Sequence, residues 1–376
     1  MIYYDNAATT YPKPEAVTEA VCLGLRQGAS VGRSSHPPAR YAAEQVFACR
    51  AALREMFSAP SEECVVFTHN ATDALNLAVK GMMQHCRKAA ISPYEHNSVL
   101  RPVHKTASLR EIPYTVMQSR LFCNEDILEQ TERLAKDGTD LFVVTCVSNV
   151  FGYILPVLEM DEIIARHGGK LILDASQSAG SVPLCMKAFR SLAAVCMPGH
   201  KGLYGPQGTG VLLLNGDGGF DTLLEGGTGS RSAEVEQPEF LPDRFESGTH
   251  NFHGIAGLRA GVELVEKITP PVLLEHGRKL GAYLADGLEV MGERVFRPKH
   301  TVGTVAFVPR SRDCETVCEI LAQHGVCARG GLHCAPLAHK AAGTFGTGAV
   351  RLSFGMFNTP AEGEEFLKLY QKIILC

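Results

Sequence analysis

The stretch Ala193-Ala194-Val195-Cys196-Met197-Pro198-Gly199-His200-Lys201-Gly202-Leu203-Tyr204-Gly205-Pro206 joins a short apolar run to a glycine-rich turn that holds a single lysine. The run has the length and apolar content of a buried strand. Taken alone, a lysine in such a turn is an ordinary surface residue. Its amine can nonetheless form an imine with a carbonyl cofactor where the surroundings favour the neutral amine or the protonated imine. The spacing GxxxxGK[ST] is absent, so the turn is not a nucleotide-phosphate loop.

Outward from this stretch the same apolar runs recur, at Cys64 to Thr68, Ala89 to Ser92, Leu141 to Thr145, Leu171 to Asp174 and Gly210 to Leu214. Between several of them lie segments of helical spacing, such as Thr72 to Cys86 and Leu158 to His167, with lengths suited to crossover connections. An α/β domain with a mostly parallel sheet is expected. From Asn215 to Asn251 the periodicity is lost in a Gly-, Glu-, Pro- and Ser-rich stretch that reads as loop. A long helix from about Gly254 to Lys267, strands near Gly303 to Val308 and Val350 to Phe354, and a terminal helix then suggest a smaller α+β domain.

The length of 376 residues agrees with about two domains and a core large enough to enclose a cofactor. With 45% hydrophobic and 20% charged residues, the composition is that of a packed globule rather than a disordered or coiled-coil chain. A formal charge of -4 gives no basic excess for nucleic acid, which is not an expected partner. The thirteen cysteines are scattered without CxxC pairs, which suits a reducing compartment. No signal sequence or membrane span is apparent, and a cytoplasmic location is expected.

Other residues stand where chemistry is done. Asp174, in Leu171-Ile172-Leu173-Asp174-Ala175-Ser176-Gln177, puts a carboxylate at the end of a buried strand, where open α/β sheets bind ligands. There it can hold a pyridinium nitrogen protonated, although an Asp in such a place is commonly a helix cap. Thr68-His69-Asn70-Ala71-Thr72-Asp73 joins strand to helix, so free N–H groups and the Thr72 hydroxyl can cradle a phosphate or simply begin a helix. His96 follows another strand, where an imidazole can stack on a flat ring or serve only the structure. In Arg329-Gly330-Gly331-Leu332-His333-Cys334-Ala335-Pro336 a cysteine sits in a flexible segment, where a nearby histidine and solvent access would make its thiolate a nucleophile. Arg351, opening a strand, can clamp a carboxylate with two parallel hydrogen bonds or form a surface salt bridge.

In this order, from Asp5-Asn6-Ala7-Ala8-Thr9-Thr10 to Arg351, the residues resemble the cysteine desulfurase and selenocysteine lyase group of the class V aminotransferase family. The resemblance implies the type I fold of enzymes dependent on pyridoxal 5'-phosphate, with a mostly parallel seven-stranded sheet flanked by helices. It implies a large domain over residues 15–253, and a small discontinuous domain made of residues 1–14 and 254–376. It implies that Lys201 carries the cofactor and that Asp174 partners the pyridinium nitrogen. Gln177 and Asn149 would contact the ring hydroxyl side, and His96 would stack on the ring. Ala71, Thr72 and His200 match phosphate-binding positions, while Phe245-Glu246-Ser247-Gly248-Thr249 resembles a segment reaching the phosphate of a neighbouring subunit. A homodimer with shared sites is thereby implied. Arg351 matches the residue that holds the substrate carboxylate, Arg329 and His36 match other positions near substrate, and Cys334 matches the sulfur-accepting nucleophile.

The chain departs from this pattern at Pro198, where many relatives carry a hydroxyl residue, and in Ser30-Val31-Gly32-Arg33-Ser34-Ser35-His36. The expected activity is conversion of L-cysteine to L-alanine, with sulfur left on Cys334 as a persulfide and passed to an acceptor protein. A selenocysteine lyase acting on L-selenocysteine, another class V aminotransferase or lyase, or a non-catalytic scaffold of the same fold are the competing expectations.

Overall fold

The computed structural model describes residues 1–32, 34–216 and 220–375. After strand β1 (Ile2–Tyr3) and helices α1 (Glu15–Gln27) and α2 (Pro37–Phe57), strands and helices alternate. They are β2 (Val65–Thr68), α3 (Ala71–Met83), β3 (Ala89–Ile91), α4 (Asn97–Arg110), β4 (Tyr114–Val116), α5 (Asn124–Lys136), β5 (Leu141–Thr145), α6 (Val157–Arg166) and β6 (Lys170–Asp174). β7 (Leu192–Pro198) and β8 (Gly210–Leu214) complete the alternating part. Among the described residues, β2 to β8 form one seven-stranded sheet in the order β2-β8-β7-β6-β5-β3-β4. β8 runs antiparallel to both its neighbours, and the other pairs are parallel.

The apolar runs are continuous rather than alternating because both faces of this sheet are covered. Phe142, Val144, Leu171, Leu173, Val195 and Met197 enter the core on one face. Their neighbours Leu141, Val143, Ile172, Ala194 and Cys196 enter a second core on the other. All six apolar runs thus become strands within a residue of their expected limits, and the Asn215 to Asn251 stretch contains neither helix nor strand in its described residues.

The rest of the chain is α7 (Phe252–Ile268), α8 (Pro270–Val290), β9 (Arg294–Phe296), β10 (Val305–Val308), α9 (Cys314–Gln323), β11 (Val326–Cys327), α10 (Pro336–Ala341), β12 (Val350–Leu352) and α11 (Pro360–Tyr370). β9, β10 and β12 form an antiparallel sheet, and β1 pairs in parallel with β11, which ties the N-terminal arm to this half. Ile2, Tyr4, Leu284, Phe307, Val317 and Phe366 share a third core. α7 packs along α1 and α2, and its Ile255, Leu258 and Val262 belong to the first core of the large sheet. No helix among the described residues is long and apolar enough to cross a membrane.

Candidate active site

The parallel strands end on one edge of the sheet, and the chemistry-bearing residues follow those ends. Thr72 comes after β2, His96 after β3, Asn149 after β5, Asp174 closes β6 and Lys201 follows β7. Asp174 pairs in register with Cys196 of β7, and Ala175 N–H donates to the Cys196 carbonyl at 2.8 Å, so the turn to Lys201 rises beside the carboxylate. Tyr204 N–H donates to the Lys201 carbonyl, and Gly205 N–H to Gly199, each at 2.8 Å, which closes the lysine turn.

Lys201 is half-buried and lines a cavity of about 80 Å³ together with Ser176 and Gln177. Desolvation of its amine pushes the pKa down to about 8, with Asp174 pulling it up and Arg351 and Arg329 pushing it further down. Asp174 is buried, and no helix follows it to be capped; its Oδ1 accepts from Ser176 N–H at 2.9 Å. Gln177 Nε2 donates to the Ala7 carbonyl at 2.9 Å.

His96 caps α4, and Ser98 N–H donates to its Nδ1 at 3.1 Å. That bond leaves the proton of the neutral ring on Nε2. Burial, opposed by Asp174 and reinforced by Lys201, pushes the His96 pKa down to about 4. Ser98 Oγ also lies 2.9 Å from His96 Nδ1 and 2.8 Å from Thr72 Oγ1, linking the starts of α3 and α4. Asn70 caps α3 by accepting from Asp73 N–H, which leaves the N–H groups of Ala71 and Thr72 beyond the reach of the helix's own hydrogen bonds.

Asn149 Nδ2 donates to the His333 carbonyl at 2.8 Å, while its buried Oδ1 has no partner. His200 Nδ1 is likewise buried and unpartnered, and burial followed by the charges of Lys201 and Lys13 pushes its pKa down to about 4. Arg351 is 2% exposed. It donates from Nη1 to the Asn149 carbonyl at 2.9 Å and from Nη2 to Asp5 Oδ1 at 2.7 Å, and leaves Nε buried and unpaired. Arg329 and Arg351 face each other through a backbone bridge, with Arg351 N–H donating at 2.8 Å.

Cys334 is exposed and opens on a groove of about 450 Å³ that His96 and Thr72 also line. The segment expected to be flexible is tied down: Asn97 N–H donates to the Cys334 carbonyl at 2.7 Å, and Asn149 holds His333. His333 and Cys334 both adopt left-handed backbone, with φ of 51 and 56, a conformation held only where surroundings enforce it. The imidazole that shares the thiol's groove is His96, because the His333 ring turns inward to the Arg329 carbonyl and His339.

Two expected site residues stand apart from this cluster. His36 is an exposed N-cap of α2 that accepts from Ala39 N–H at 3.3 Å. Thr249 is exposed and lines a different pocket with Phe67, His69 and His250. Beneath it Glu246 is buried against Arg50 and accepts from Phe67 N–H at 2.6 Å, which fixes the segment's base. Sequence reasoning missed Glu95, Ser98 and Lys13. Lys13 Nζ donates to Thr10 Oγ1 at 2.7 Å and to the His200 carbonyl at 2.8 Å, bracing the lysine turn from the N-terminal arm. The contacts that matter to the site, Lys13 to His200, Ser98 to Thr72 and Glu95 to Thr145, join residues distant in sequence, and nothing local announces them.

A fold with this strand edge and a desolvated lysine beside a buried acid defines an α/β enzyme class, and the comparisons place the chain within it. The model of the class-V aminotransferase family matches residues 2–366, and the chain belongs to that family. It is 30% identical, over 394 aligned positions covering 100% of this chain and 94% of the other, to a probable cysteine desulfurase of Pyrococcus abyssi. A cysteine desulfurase of Escherichia coli O7:K1 is 30% identical over 400 positions, covering 99% and 93% of the two chains. The solved cysteine desulfurase from Thermococcus onnurineus matches with a TM-score of 0.92 at 31% identity, over 100% of this chain and 94% of that one. A second solved cysteine desulfurase, from Escherichia coli, has a TM-score of 0.90 at 23% identity over 99% and 94% of the chains, a likeness of fold.

Proposed function

We propose that the protein is a pyridoxal-phosphate-dependent cysteine desulfurase, which releases L-alanine from L-cysteine and leaves the sulfur on Cys334. The observation that carries this reading is Lys201, an amine whose pKa falls to about 8 beside buried Asp174 at the carboxyl edge of the sheet. The residues present fit the cofactor. The buried Asn149 Oδ1 and His200 Nδ1 lack partners that a bound polar ligand would supply, and the first turn of α3 offers N–H groups to a phosphate.

Lys201 is the residue that would carry the cofactor. Asp174 would hold its ring nitrogen protonated, His96 would stack on the ring, and Gln177 and Asn149 would meet the ring hydroxyl. Ala71, Thr72 and His200 would hold the phosphate together with Thr249 of a partner subunit in a homodimer. When bound, pyridoxal 5'-phosphate supplies a sink for the electrons left on the substrate Cα.

Lys201, as a neutral amine, would take the Cα proton and return it to Cα before alanine leaves. Arg351, Arg329 and His36 bind the substrate, and the Arg351–Asp5 pair loosens as the substrate carboxylate takes its donors. The Cys334 thiolate then attacks the substrate sulfur: a sulfur–sulfur bond forms, the carbon–sulfur bond breaks, and its electron pair passes to carbon, which is protonated to give alanine. An acceptor protein removes the sulfur. The described cysteines are all free thiols, which supports a reducing, cytoplasmic setting.

Protein loaded with cofactor should release alanine from cysteine, and Cys334→Ala should abolish sulfide formation. Full turnover of cysteine by that variant would remove the covalent role, and activity surviving only on selenocysteine would point to the lyase.

A further inference from the structure

The groove beside Cys334 carries charge that the chemistry at Lys201 leaves unused. Thr72, Asn76 and Lys80 stand four residues apart on α3, and Asn97, Arg101 and Lys105 four apart on α4, so each trio lines one helix face. α3 and α4 pack against each other, and both trios line the groove of about 450 Å³ that ends at Cys334. Asn97 N–H bonds the Cys334 carbonyl, which sets that cysteine at the head of the α4 row. At a rise of ~1.5 Å per residue, Arg101 and Lys105 follow about 6 and 12 Å beyond Asn97.

The lining includes Lys80, Arg101 and Lys105 but no carboxylate. Among the described residues none of the three cations is in an ion pair; Arg101 and Lys105 are exposed and Lys80 is half-buried. In a chain of net charge -4, a cleft lined by one positive sign focuses a field that draws in anions.

We infer that this groove receives the sulfur acceptor, and that the acceptor is an acidic segment of another protein carrying its own thiol. The inference rests on the desulfurase reading and adds the chemistry of the partner. An extended segment advances ~3.3 Å per residue, so carboxylates two and four residues from a docked thiol fall about 7 and 13 Å away. Those distances match Arg101 and Lys105, whereas a small thiol keeps its charges within one helical turn of its sulfur. In the transfer, the acceptor thiolate attacks the outer sulfur of the Cys334 persulfide. A new sulfur–sulfur bond forms on the acceptor, the bond to Cys334 breaks, and its electron pair returns to Cys334 as a thiolate, with no outside oxidant.

The test uses the full-length, cofactor-loaded enzyme with cysteine, and the peptides Cys-Ala-Glu-Ala-Glu and Cys-Ala-Gln-Ala-Gln as acceptors, with peptide persulfide read by mass spectrometry. The unaltered enzyme should sulfurate the acidic peptide on the order of tenfold faster at low salt, a preference that shrinks as salt rises. The combined K80E, R101E and K105E variant should lose the preference while its first-turnover alanine is unchanged. R101Q and K105Q, which alter less, should each lose part of it. Equal rates for the two peptides, or a preference that survives the triple substitution, would overturn the inference. A stronger preference for mercaptosuccinate, lost in the same variants, would assign the groove to a small anionic thiol instead, and a dimer that falls apart on charge reversal would assign it to a second copy of the chain. Absence of first-turnover alanine from the unaltered enzyme would remove the desulfurase reading, and this inference with it.

Discussion

Glu95 is fully buried one residue before His96, and its contacts explain why that imidazole has a fixed place. Its Oε1 accepts from Ser92 Oγ and from Thr145 N–H at 2.8 Å, and Thr145 is the register partner of Asp174. The acid therefore stitches the turn after β3 to the end of β5, next to the strand that carries Asp174. Burial, with a smaller push from Asp174, raises its pKa from 4.5 to about 8. A carboxyl raised in the folded state stabilises fully below the unfolded value, and that stability is lost as pH climbs toward 8. Glu95→Gln keeps an acceptor oxygen and removes the titration. Its urea-unfolding stability should gain on the unaltered protein by about 1 kcal/mol per pH unit between pH 5 and 8. A gap that does not change with pH would refute this. Lys201, Asp174, His96 and Thr72 were legible in the sequence because each closely follows an apolar run. Glu95 was not, since a charged residue between Tyr94 and His96 looks like a solvated one. Nor was the Arg351–Asp5 pair, whose partners lie 346 positions apart.

Among the elements, the lysine turn depends on a close approach of two backbones. A Cβ on Gly180 would lie 2.1 Å from the Gly202 carbonyl oxygen, and Gly180 also has a φ of +86. Gly138 has a φ of +82 with open space around it. Gly138→Ala should therefore cost only the backbone strain, about 1 kcal/mol, whereas Gly180→Ala should cost more and displace the turn that holds Lys201. Urea denaturation of both variants checks this, and equal losses would mean that the approach of Gly202 is relaxed at no cost. The central strands were legible because burial on both faces makes them unbroken apolar runs. The edge strand β4 was not: Tyr114, Thr115 and Val116 are partly or wholly exposed, and the run carries no turn signal. β1, β9 and β11 were missed for a related reason, since two or three residues show no period and are defined only by their partners.

Across the whole molecule, Thr249 lines a pocket apart from the one that Lys201 lines, so the role proposed for it requires a second subunit. Isologous pairing would then supply two equivalent sites. Mixing Lys201→Ala subunits with Thr249→Ala subunits should give hybrid dimers with one unaltered site, and an activity above the sum of the two parents; a merely additive result would place Thr249 outside the site. Every role assigned here depends on Lys201 being the amine that holds the cofactor. The most direct test is to add pyridoxal 5'-phosphate at several pH values, reduce with borohydride and map the labelled peptide. The label should fall on Lys201, increase with pH through about 8 as the amine loses its proton, and vanish in Lys201→Ala. Label on another lysine that persists in that variant would contradict the account.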